Sequence, residues 1–334
     1  MSRTPADVLE KPNTAAKEIA AQPANRAYVC PLCGGSEVVH FLDAPDRFHL
    51  RQEMYRLLRC SSCSGVWQDS PPKPEEMGIH YDEDYHKAIV AAGETSPASR
   101  WQRHRDLISR HKQSGAILDI GCSSGAFLGT MKGPSWKLYG IDMENSTAEK
   151  ARSATGAEVF VGDVMDAPFP PNSFDVITAF DLLEHVYQPR QFLTKVLEWL
   201  KPGGIFCTML PNIDSWESRI FGSYWYGLEM PRHLFHFSPK SLKQVMVTLG
   251  FEQVVLSTSE ISYVERSMGY VCSKVMENVG FAQVSAAQGK KQSVPWRAAR
   301  KAMRLTLVRP AGHLASFAGA GASLEAIFRK PASS

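Results

Sequence analysis

Short apolar runs recur through the middle and end of the chain, and amphipathic stretches at 100–112 and 192–200 lie ahead of and between them. The runs are short enough to be buried strands, whereas the amphipathic stretches have helical spacing. Strands that alternate with helices form a parallel sheet covered by helices, so an α/β fold is predicted. The seven predicted strands lie at 116–120, 138–141, 159–161, 174–180, 205–210, 251–256 and 324–328.

Changes in this pattern divide the chain into six segments. The first 27 residues are rich in Ala, Pro and Lys without periodicity, which is typical of a flexible leader. Prolines and polar residues after position 68 indicate a connector, in which Tyr81, Tyr85 and His86 either line a substrate entrance or pin the connector to a surface. The predicted segments are the leader 1–27, a cysteine-rich unit 28–68, a connector and leading helix 69–112, an α/β core 113–260 with an insertion at 213–237, a C-terminal insertion 261–322, and a closing strand and tail 323–334.

The composition narrows the class of protein. A chain of 334 residues with 44% hydrophobic residues can bury one large core and a small attachment. A net charge of +3 does not indicate a nucleic-acid partner, and none is expected. The N-terminus lacks the apolar core of a signal peptide, and no run of about 20 apolar residues follows. We therefore expect a cytoplasmic protein.

Four of the seven cysteines form two Cys-x-x-Cys pairs, each followed by glycine. Two such pairs can present four thiolates tetrahedrally to Zn²⁺, and closed sites of this kind hold a fold together. Runs at 38–42 and 53–59 predict strands between the pairs, so a structural zinc ribbon is predicted at 28–68. Unligated cysteines in hairpins are the alternative, and a redox pair would need a βαβ context that is missing. The predicted ligands are Cys30, Cys33, Cys60 and Cys63.

A glycine turn, Gly121-Cys-Ser-Ser-Gly125, follows the first predicted strand of the core and precedes a helix that starts at 126. Glycines let the backbone approach a ligand, and the helix start offers free N–H groups. The second strand ends about 20 residues later in Asp142, where a carboxylate can accept both ribose hydroxyls. Asp163 follows the third strand and is placed to accept from an exocyclic amine. This spacing predicts a site for a nucleoside-containing cofactor.

The runs ILDIGCSSGAFL, GIDM, GDVMDAPFP, FDVITAFDLLEHV and LKPGGIFCTMLPN resemble the class I S-adenosylmethionine-dependent methyltransferases, in the order of that family. The resemblance implies a Rossmann-like, seven-stranded methyltransferase sheet with S-adenosylmethionine as cofactor. Ser123 stands where the middle glycine of the turn is common. A domain that has lost its cofactor, or that binds a dinucleotide, is the alternative. The cofactor-binding residues implied are Asp119, Gly121, Cys122, Ser123, Gly125, Asp142, Met143, Asp163, Val164 and Phe180.

Asp181, Glu184 and His185 follow the fourth strand of the core. Two carboxylates and an imidazole can hold a divalent cation, and the segment resembles the metal-binding segment of ubiquinone-type O-methyltransferases. A second divalent cation is therefore one expectation at these three residues. Related proteins without a metal carry a Glu-His pair here that shapes the cofactor pocket, which is the alternative.

The segment 229–242 resembles the substrate loop of bacterial sugar C- and O-methyltransferases, and Ser238 can cap the helix that follows it. In those enzymes a histidine ahead of a Phe-Ser pair is the general base. By position, His233 is the predicted base and His185 its neighbour. Arg232 stands where the C-methyltransferases often have an acidic residue, and it could pair with a substrate phosphate or carboxylate. The alternative is that His233 and His236 only hydrogen-bond backbone groups.

The composition of two further segments predicts what each segment contacts. Residues 215–226 are rich in aromatic side chains and form either a lid over a sugar ring or ordinary packing. On a helix, residues 295–309 would place apolar residues on one face and four basic residues on another, which are Arg297, Arg300, Lys301 and Arg304. That pattern suits peripheral contact with an anionic membrane at its inner face, with a solvated basic face as the alternative.

The expected function is methyl transfer from S-adenosylmethionine to an oxygen or carbon of a small molecule or glycan, such as a nucleotide- or lipid-linked sugar. One alternative is an RNA methyltransferase, which would need a basic ribbon. The ribbon's arginines are instead balanced by acidic residues. Another alternative is a non-catalytic cofactor-binding module that docks a partner protein.

Overall fold

The computed structural model describes residues 28–85, 87, 98–259, 262–278, 306 and 308–332. The predicted leader at 1–27, His86 and nearly all of the predicted basic helix at 295–309 lie outside the described residues. The predictions made for those segments therefore remain predictions. Within the described residues, no helix is both long enough and apolar enough to cross a membrane.

Strands and helices alternate through the core, as the apolar pattern predicts. The strands are β1 (Val38–Pro45), β2 (Met54–Cys60), β3 (Val66–Gln68), β4 (Gly115–Ile120), β5 (Trp136–Asp142), β6 (Glu158–Val161), β7 (Phe174–Phe180), β8 (Leu200–Pro211), β9 (Phe235–His236), β10 (Glu252–Ser259) and β11 (Ser323–Arg329). The helices are α1 (Pro74–Met77), α2 (Ala98–Ser109), α3 (Ala126–Thr130), α4 (Asn145–Thr155), α5 (Pro189–Trp199), α6 (Trp216–Phe221), α7 (Pro239–Thr248), α8 (Val264–Asn278) and α9 (Arg309–Phe317).

The larger sheet has seven strands in the order β10-β11-β8-β7-β4-β5-β6. Strands β4 to β8 pair in parallel, and β11 runs antiparallel to both β8 and β10. This arrangement confirms the predicted Rossmann-like sheet. The strand order reverses at β4, so the loops after β4 and β7 diverge and leave a crevice at the carboxyl edge of the sheet.

Buried apolar side chains explain why these segments form the core. Val176, Ile177 and Ala179 of β7 are buried, as expected of a strand covered on both faces. Helix α5 buries Phe192 and Val196 along one stripe against the sheet. Strand β8 begins five residues earlier than predicted, because Leu200 pairs with Phe174 of β7, and Gly203 and Gly204 hydrogen-bond with Lys330 after β11.

The smaller sheet has the order β1-β2-β3-β9 and contains the predicted ribbon strands β1 and β2. Its fourth strand, β9, comes from the core insertion and pairs antiparallel with β3, with Trp67 opposite Phe235. Trp225 and Leu228 of the insertion pack in one buried cluster with Leu57 of β2. The insertion therefore joins the ribbon to the core, a connection that the sequence pattern did not predict.

Two ends of helices follow the expected capping chemistry. Ser238 accepts a hydrogen bond from the backbone N–H of Ser241 at the start of α7, with Pro239 in the first turn. Ser215 caps α6 in the same way through Ser218. These caps fix both ends of the chain segment that carries the predicted substrate loop.

Candidate functional site

The turn after β4 adopts the backbone conformation that its glycines permit. Gly121, Ser123 and Gly125 all have positive φ angles, of 75°, 47° and 79°. A Cβ atom at Gly125 would lie 3.1 Å from the Cα atom of Ala151, so glycine also allows α4 to pack closely. Ser123 thus adopts the left-handed conformation although it is not glycine, so the turn keeps its shape with serine at this position.

Asp142 at the end of β5 organises the edge of this turn. Its Oδ2 atom accepts from the backbone N–H of Ser123 at 2.8 Å, and its Oδ1 atom accepts from the Thr147 hydroxyl at 2.6 Å. Asp163 accepts from the backbone N–H of Met165 at 2.8 Å, at the start of a short 3₁₀ turn that contains Val164. Both carboxylates therefore stand at the carboxyl ends of neighbouring strands, and Asp142 contacts the glycine turn directly.

The side chains next to these carboxylates fit a nucleoside. Met143 and Met165 are 73% and 45% exposed, although methionine is usually buried. A flexible thioether packs well against the face of an aromatic base, and the carboxylates can accept from ribose hydroxyls and an exocyclic amine. The combination of exposed apolar side chains and acceptors fits the adenosine part of S-adenosylmethionine.

Three other predicted cofactor residues face the protein interior. Asp119 is buried and accepts from the Thr178 hydroxyl at 2.6 Å, and burial raises the pKa of Asp119 to about 7. The Cys122 side chain is buried where any side chain at Gly140 would collide with it. The Phe180 ring stacks on His104 of α2 at a centroid distance of 4.6 Å. Cys122 can therefore meet a ligand only through its backbone, and Phe180 holds α2 over the sheet.

His185 and His233, which the sequence placed as neighbours, lie with ring centroids 4.6 Å apart. The Nδ1 atom of His233 is 3.0 Å from the carbonyl oxygen of Gly227, and Nδ1 of His185 is 3.0 Å from that of Arg232. Because a carbonyl oxygen only accepts, both Nδ1 atoms donate, and each neutral ring keeps its lone pair on Nε2.

Burial also keeps both rings neutral. It lowers the pKa of His185, and burial together with the neighbouring histidines lowers the pKa of His233 well below its usual range. A neutral imidazole with a free Nε2 lone pair is the form of histidine that can accept a proton. Both rings are therefore in the protonation state that a general base requires.

Glu229 is a site residue that the sequence analysis missed. Its Oε2 atom lies 3.7 Å from Nε2 of His233, and its Oε1 atom accepts from the Tyr85 hydroxyl at 2.6 Å. The backbone of Glu229 has a φ of 40°, a conformation that glutamate rarely adopts. Tyr81 of the connector reaches the same place, with its hydroxyl 3.0 Å from Nδ1 of His185. The connector tyrosines therefore lie at the site.

Arg232 does not face a substrate, in contrast to one expectation from the sequence. It is 1% exposed and lies between Asp46 of the ribbon, at 3.3 Å, and Glu229, at 3.4 Å. Burial opposes ionisation of Asp46, but Arg232 and His49 hold the pKa of Asp46 below its usual range. Since 186 residues separate Asp46 from Arg232, no local pattern could have indicated this pair.

The three residues predicted for a second cation do not form one cluster. Asp181 is ion-paired with Arg100 of α2, whereas donor atoms of Glu184 and His185 lie within 4.8 Å of His233. Burial and the charge of Asp181 raise the pKa of Glu184 well above its usual range, which favours the neutral acid. Because Asp181 pairs with Arg100, the structure does not bring the three residues together as the predicted cation site.

His236 lies on β9, with its ring centroid 6.1 Å from that of His233. Its Nε2 atom is 3.0 Å from the carbonyl oxygen of Leu228, to which it donates. His236 therefore hydrogen-bonds a backbone group, which matches the alternative to a catalytic role for this residue. The bond ties β9 to the preceding loop.

The aromatic segment 215–226 is packed between the ribbon and α8. Trp225 is buried, Tyr226 stacks on Tyr270 with ring centroids 5.9 Å apart, and the Arg47 guanidinium lies 3.7 Å from the centroid of Tyr224. These contacts match the packing alternative for the segment, since the three aromatic side chains are held by protein groups.

The four cysteines of the ribbon form one cluster, with all four sulfur atoms within 4.8 Å of one another. The Sγ atoms of Cys30 and Cys63 are 3.7 Å apart, and those of Cys33 and Cys60 are 3.6 Å apart. Four ligands about 2.3 Å from a tetrahedral zinc ion lie about 3.8 Å from one another, so the spacing fits zinc. The cluster is compatible with the predicted metal site.

The fold and the site together define a Rossmann-like, S-adenosylmethionine-dependent methyltransferase domain. Residues 95–256 match a family model described as a methyltransferase domain. The chain therefore carries a methyltransferase domain of this kind.

Relatives of the chain in sequence are also named as methyltransferases. A probable S-adenosylmethionine-dependent methyltransferase of Mycolicibacterium smegmatis is 26% identical over 196 residues, which cover 57% of this chain and 67% of that protein. A demethylmenaquinone methyltransferase of Symbiobacterium thermophilum is 29% identical over 41% of this chain and 61% of that protein. The chain thus spans about three fifths to two thirds of the length of these relatives. A SAM-dependent methyltransferase structure from Thermotoga maritima has a TM-score of 0.48 and 17% identity, covering 74% of this chain and 98% of that one.

Proposed function

We propose that the protein transfers a methyl group from S-adenosylmethionine to an oxygen or carbon of a small molecule or glycan, such as a nucleotide- or lipid-linked sugar. One observation carries this proposal. Two neutral imidazoles, His185 and His233, lie side by side with their Nδ1 protons bound by backbone carbonyls. Such a pair suits removal of a proton from a hydroxyl or an activated carbon acid.

The cofactor would be held at the carboxyl edge of the large sheet. Asp142 would accept the ribose hydroxyls, Asp163 and Met143 would contact adenine, and the turn from Gly121 to Gly125 would face the methionine part. When bound, S-adenosylmethionine supplies an electrophilic methyl carbon on a sulfonium. The protein then has to orient the acceptor and take up its proton.

His233 would take the acceptor's proton at Nε2 and become an imidazolium. The Glu229 carboxylate, 3.7 Å from that atom, would stabilise the new positive charge. Tyr85 and Arg232 hold Glu229 in place by hydrogen bonds, and Asp46 of the ribbon holds Arg232. In this proposal His233 is the base, His185 packs against it, and Glu229 is a positioning residue.

The ribbon would bind one zinc ion through its four cysteines, in a structural role. The closed set of sulfur ligands leaves no position for a substrate, which supports structure rather than catalysis. Through Asp46 and β3, a zinc-bound ribbon would support the loop that carries His233.

A transfer assay tests this function. The full-length protein would be incubated with S-adenosylmethionine labelled in its methyl group and with a panel of nucleotide-linked sugars, in parallel with RNA. We expect label in a sugar, a loss of about 100-fold or more in His233→Gln, and a rate near wild type in the matched variant His236→Gln. Label in RNA would favour an RNA methyltransferase, and cofactor binding without any transfer would favour a binding module.

A further inference from the structure

Helix α9 presents large apolar side chains on the side that faces away from the protein. Its Gly312 is buried, and the Ser316 hydroxyl donates to the backbone carbonyl of Thr258 in β10, so this side faces the sheet. Leu314 and Phe317 lie on the opposite side of the helix and are 73% and 92% exposed. A helix that packs on a core normally presents polar residues to water. The outward side of α9 therefore has the composition of a contact surface.

Two neighbouring helices add exposed apolar side chains. Met268, Cys272 and Val275 have the i, i+4, i+7 spacing that places them on one side of α8. Ile220 of the short helix α6 is also exposed. Single exposed apolar residues are common on proteins, whereas a group of them indicates an interaction site. The apolar face consists of these exposed residues, which are Ile220, Met268, Cys272, Val275, Leu314 and Phe317.

Hydrogen bonds join these three helices at the carboxyl edge of the large sheet. The backbone N–H of Trp216 in α6 donates to the carbonyl oxygen of Ala320, just after α9, at 3.1 Å. The buried carboxylate of Glu217 in α6 accepts from the backbone N–H of Tyr263, directly before α8, at 2.8 Å. Helix α6 itself begins five residues after the carboxyl end of β8. All three helices therefore meet at the edge that carries the proposed site.

The start of α8 also contacts the loop that positions the proposed base. The ring of Tyr263 lies against those of Trp225 and Tyr226, with centroids 6.0 and 5.8 Å away. The next residue of that loop, Gly227, accepts a hydrogen bond from Nδ1 of His233. The helix that carries half of the apolar face is therefore packed against the proposed site.

Charge indicates what covers the apolar face. Residues 279–305 lie between α8 and α9, and their sequence has six basic residues and no acidic one. Arg219 of α6 and Arg266 of α8 are exposed as well. A second copy of this chain would bring the same positive charge and would be repelled, whereas anionic lipid headgroups would be attracted. Apolar side chains beside basic ones are the composition that binds the surface of an anionic bilayer.

We propose that the apolar face binds the surface of an anionic membrane, with the carboxyl edge of the large sheet turned toward the lipid. Leu314 and Phe317 enter the boundary between headgroups and acyl chains, and the neighbouring basic residues contact lipid phosphates. This orientation would bring a lipid-linked acceptor to the edge where His233 lies. Membrane binding needs neither the cofactor nor an acceptor, so it goes beyond the proposed function.

Sedimentation of the full-length protein with lipid vesicles tests the inference. We expect the protein to sediment with vesicles made of phosphatidylcholine and phosphatidylglycerol in equal parts, and not with vesicles of phosphatidylcholine alone. A double variant, Leu314→Ser with Phe317→Ser, should bind about tenfold or more weakly, because two apolar contacts with the lipid are lost. Val247→Ser is the matched control, because Val247 is exposed on α7, and its affinity should stay within about twofold of wild type.

Cys272 provides a second measurement within the apolar face. It is the exposed cysteine among the described residues, so it can carry a fluorophore that responds to its environment. The emission should shift to the blue when the anionic vesicles are added, because the label enters an apolar environment. Wild-type protein that binds no vesicles, or a double variant that binds as wild type does, would overturn the inference. A label that is already in an apolar environment without vesicles would do the same, because protein would then cover the face.

Cofactor affinity separates this inference from the proposed function. The double variant should bind S-adenosylhomocysteine as wild type does, because both substituted side chains are exposed on α9 and the fold does not depend on them. Calorimetric titration measures this affinity. Wild-type protein that binds vesicles but not S-adenosylhomocysteine would support the membrane inference and refute only the proposed function.

Discussion

Among single residues, Asp119 illustrates how burial sets protonation. Its carboxyl group is 4% exposed and receives one hydrogen bond, from Thr178, and burial raises its pKa to about 7. The folded protein therefore binds this proton more tightly than the unfolded chain does. The resulting stabilisation is present at low pH and is lost as the pH rises through about 7.

Replacing this carboxyl group should remove that pH dependence. Between pH 6 and pH 8 the wild type should lose on the order of 1 kcal/mol of unfolding free energy that Asp119→Asn does not lose. Urea unfolding at both pH values measures the difference, with Asp166→Asn, an exposed carboxylate, as control. Equal pH dependence in Asp119→Asn and wild type would show that Asp119 does not titrate in this range.

The strand-end positions of the predicted cofactor residues follow from the sequence, whereas the contacts of the proposed base do not. Asp142 and Asp163 follow strand ends at a spacing that chain geometry imposes, so the sequence alone placed them at one edge. Glu229 lies four residues before His233 in an irregular loop, and its approach depends on a left-handed backbone. Such a conformation of a glutamate leaves no compositional signal.

At the level of elements, strand β3 connects the four-cysteine cluster to the loop that carries His233. It begins three residues after Cys63, where the backbone N–H of Cys60 donates to the carbonyl of Gly65. It then pairs with β9, which lies next to the predicted base. The sequence predicted β1 and β2 from their alternating pattern, but β3 and β9 are only three and two residues long, too short for a pattern to show.

Loss of a cysteine ligand should therefore loosen a strand far away in sequence. We expect Cys60→Ser to lose zinc and to speed amide hydrogen exchange at β3 and β9 about tenfold or more, because the pairing would open. Elemental analysis and hydrogen exchange measured by mass spectrometry give the two readouts. Cys272→Ser, at an exposed cysteine of α8, is the matched control. Zinc loss with unchanged exchange at β9 would contradict the coupling.

Across the whole molecule, one buried arginine connects the insertion of the core to the ribbon and the connector. Arg232 lies in the loop before β9 and forms ion pairs with both Asp46 of the ribbon and Glu229. Its guanidinium also lies 4.7 Å from the centroid of the Tyr85 ring in the connector. Seven strands and the carboxyl-edge crevice follow from local patterns, but this long-range contact depends on how the units pack. That packing could not be read from residue spacing.

Removing this charge should cost much of the stability of the protein. Arg232→Met would leave Asp46 and Glu229 buried without their cation, and we expect a loss of about 3–5 kcal/mol in the free energy of unfolding. Urea unfolding measures it, with the exposed pair of Arg105 and Asp106 as control, where Arg105→Met should change stability by about 1 kcal/mol or less. Adding Asp46→Asn should restore part of the loss, and a double variant no more stable than Arg232→Met would argue against this pairing.

Because β9 lies in the core insertion but pairs with β3 of the ribbon, the ribbon cannot be separated from the protein as one continuous segment. A ribbon cut out as residues 28–68 would end in β3 with the edge facing Phe235 uncovered. Uncovered strand edges promote association between molecules, so the isolated fragment should self-associate even when it is loaded with metal. Transplanting the ribbon onto another protein, or exchanging it by recombination, would have to carry the distant strand as well. The unit that can be inherited or engineered is therefore discontinuous in sequence.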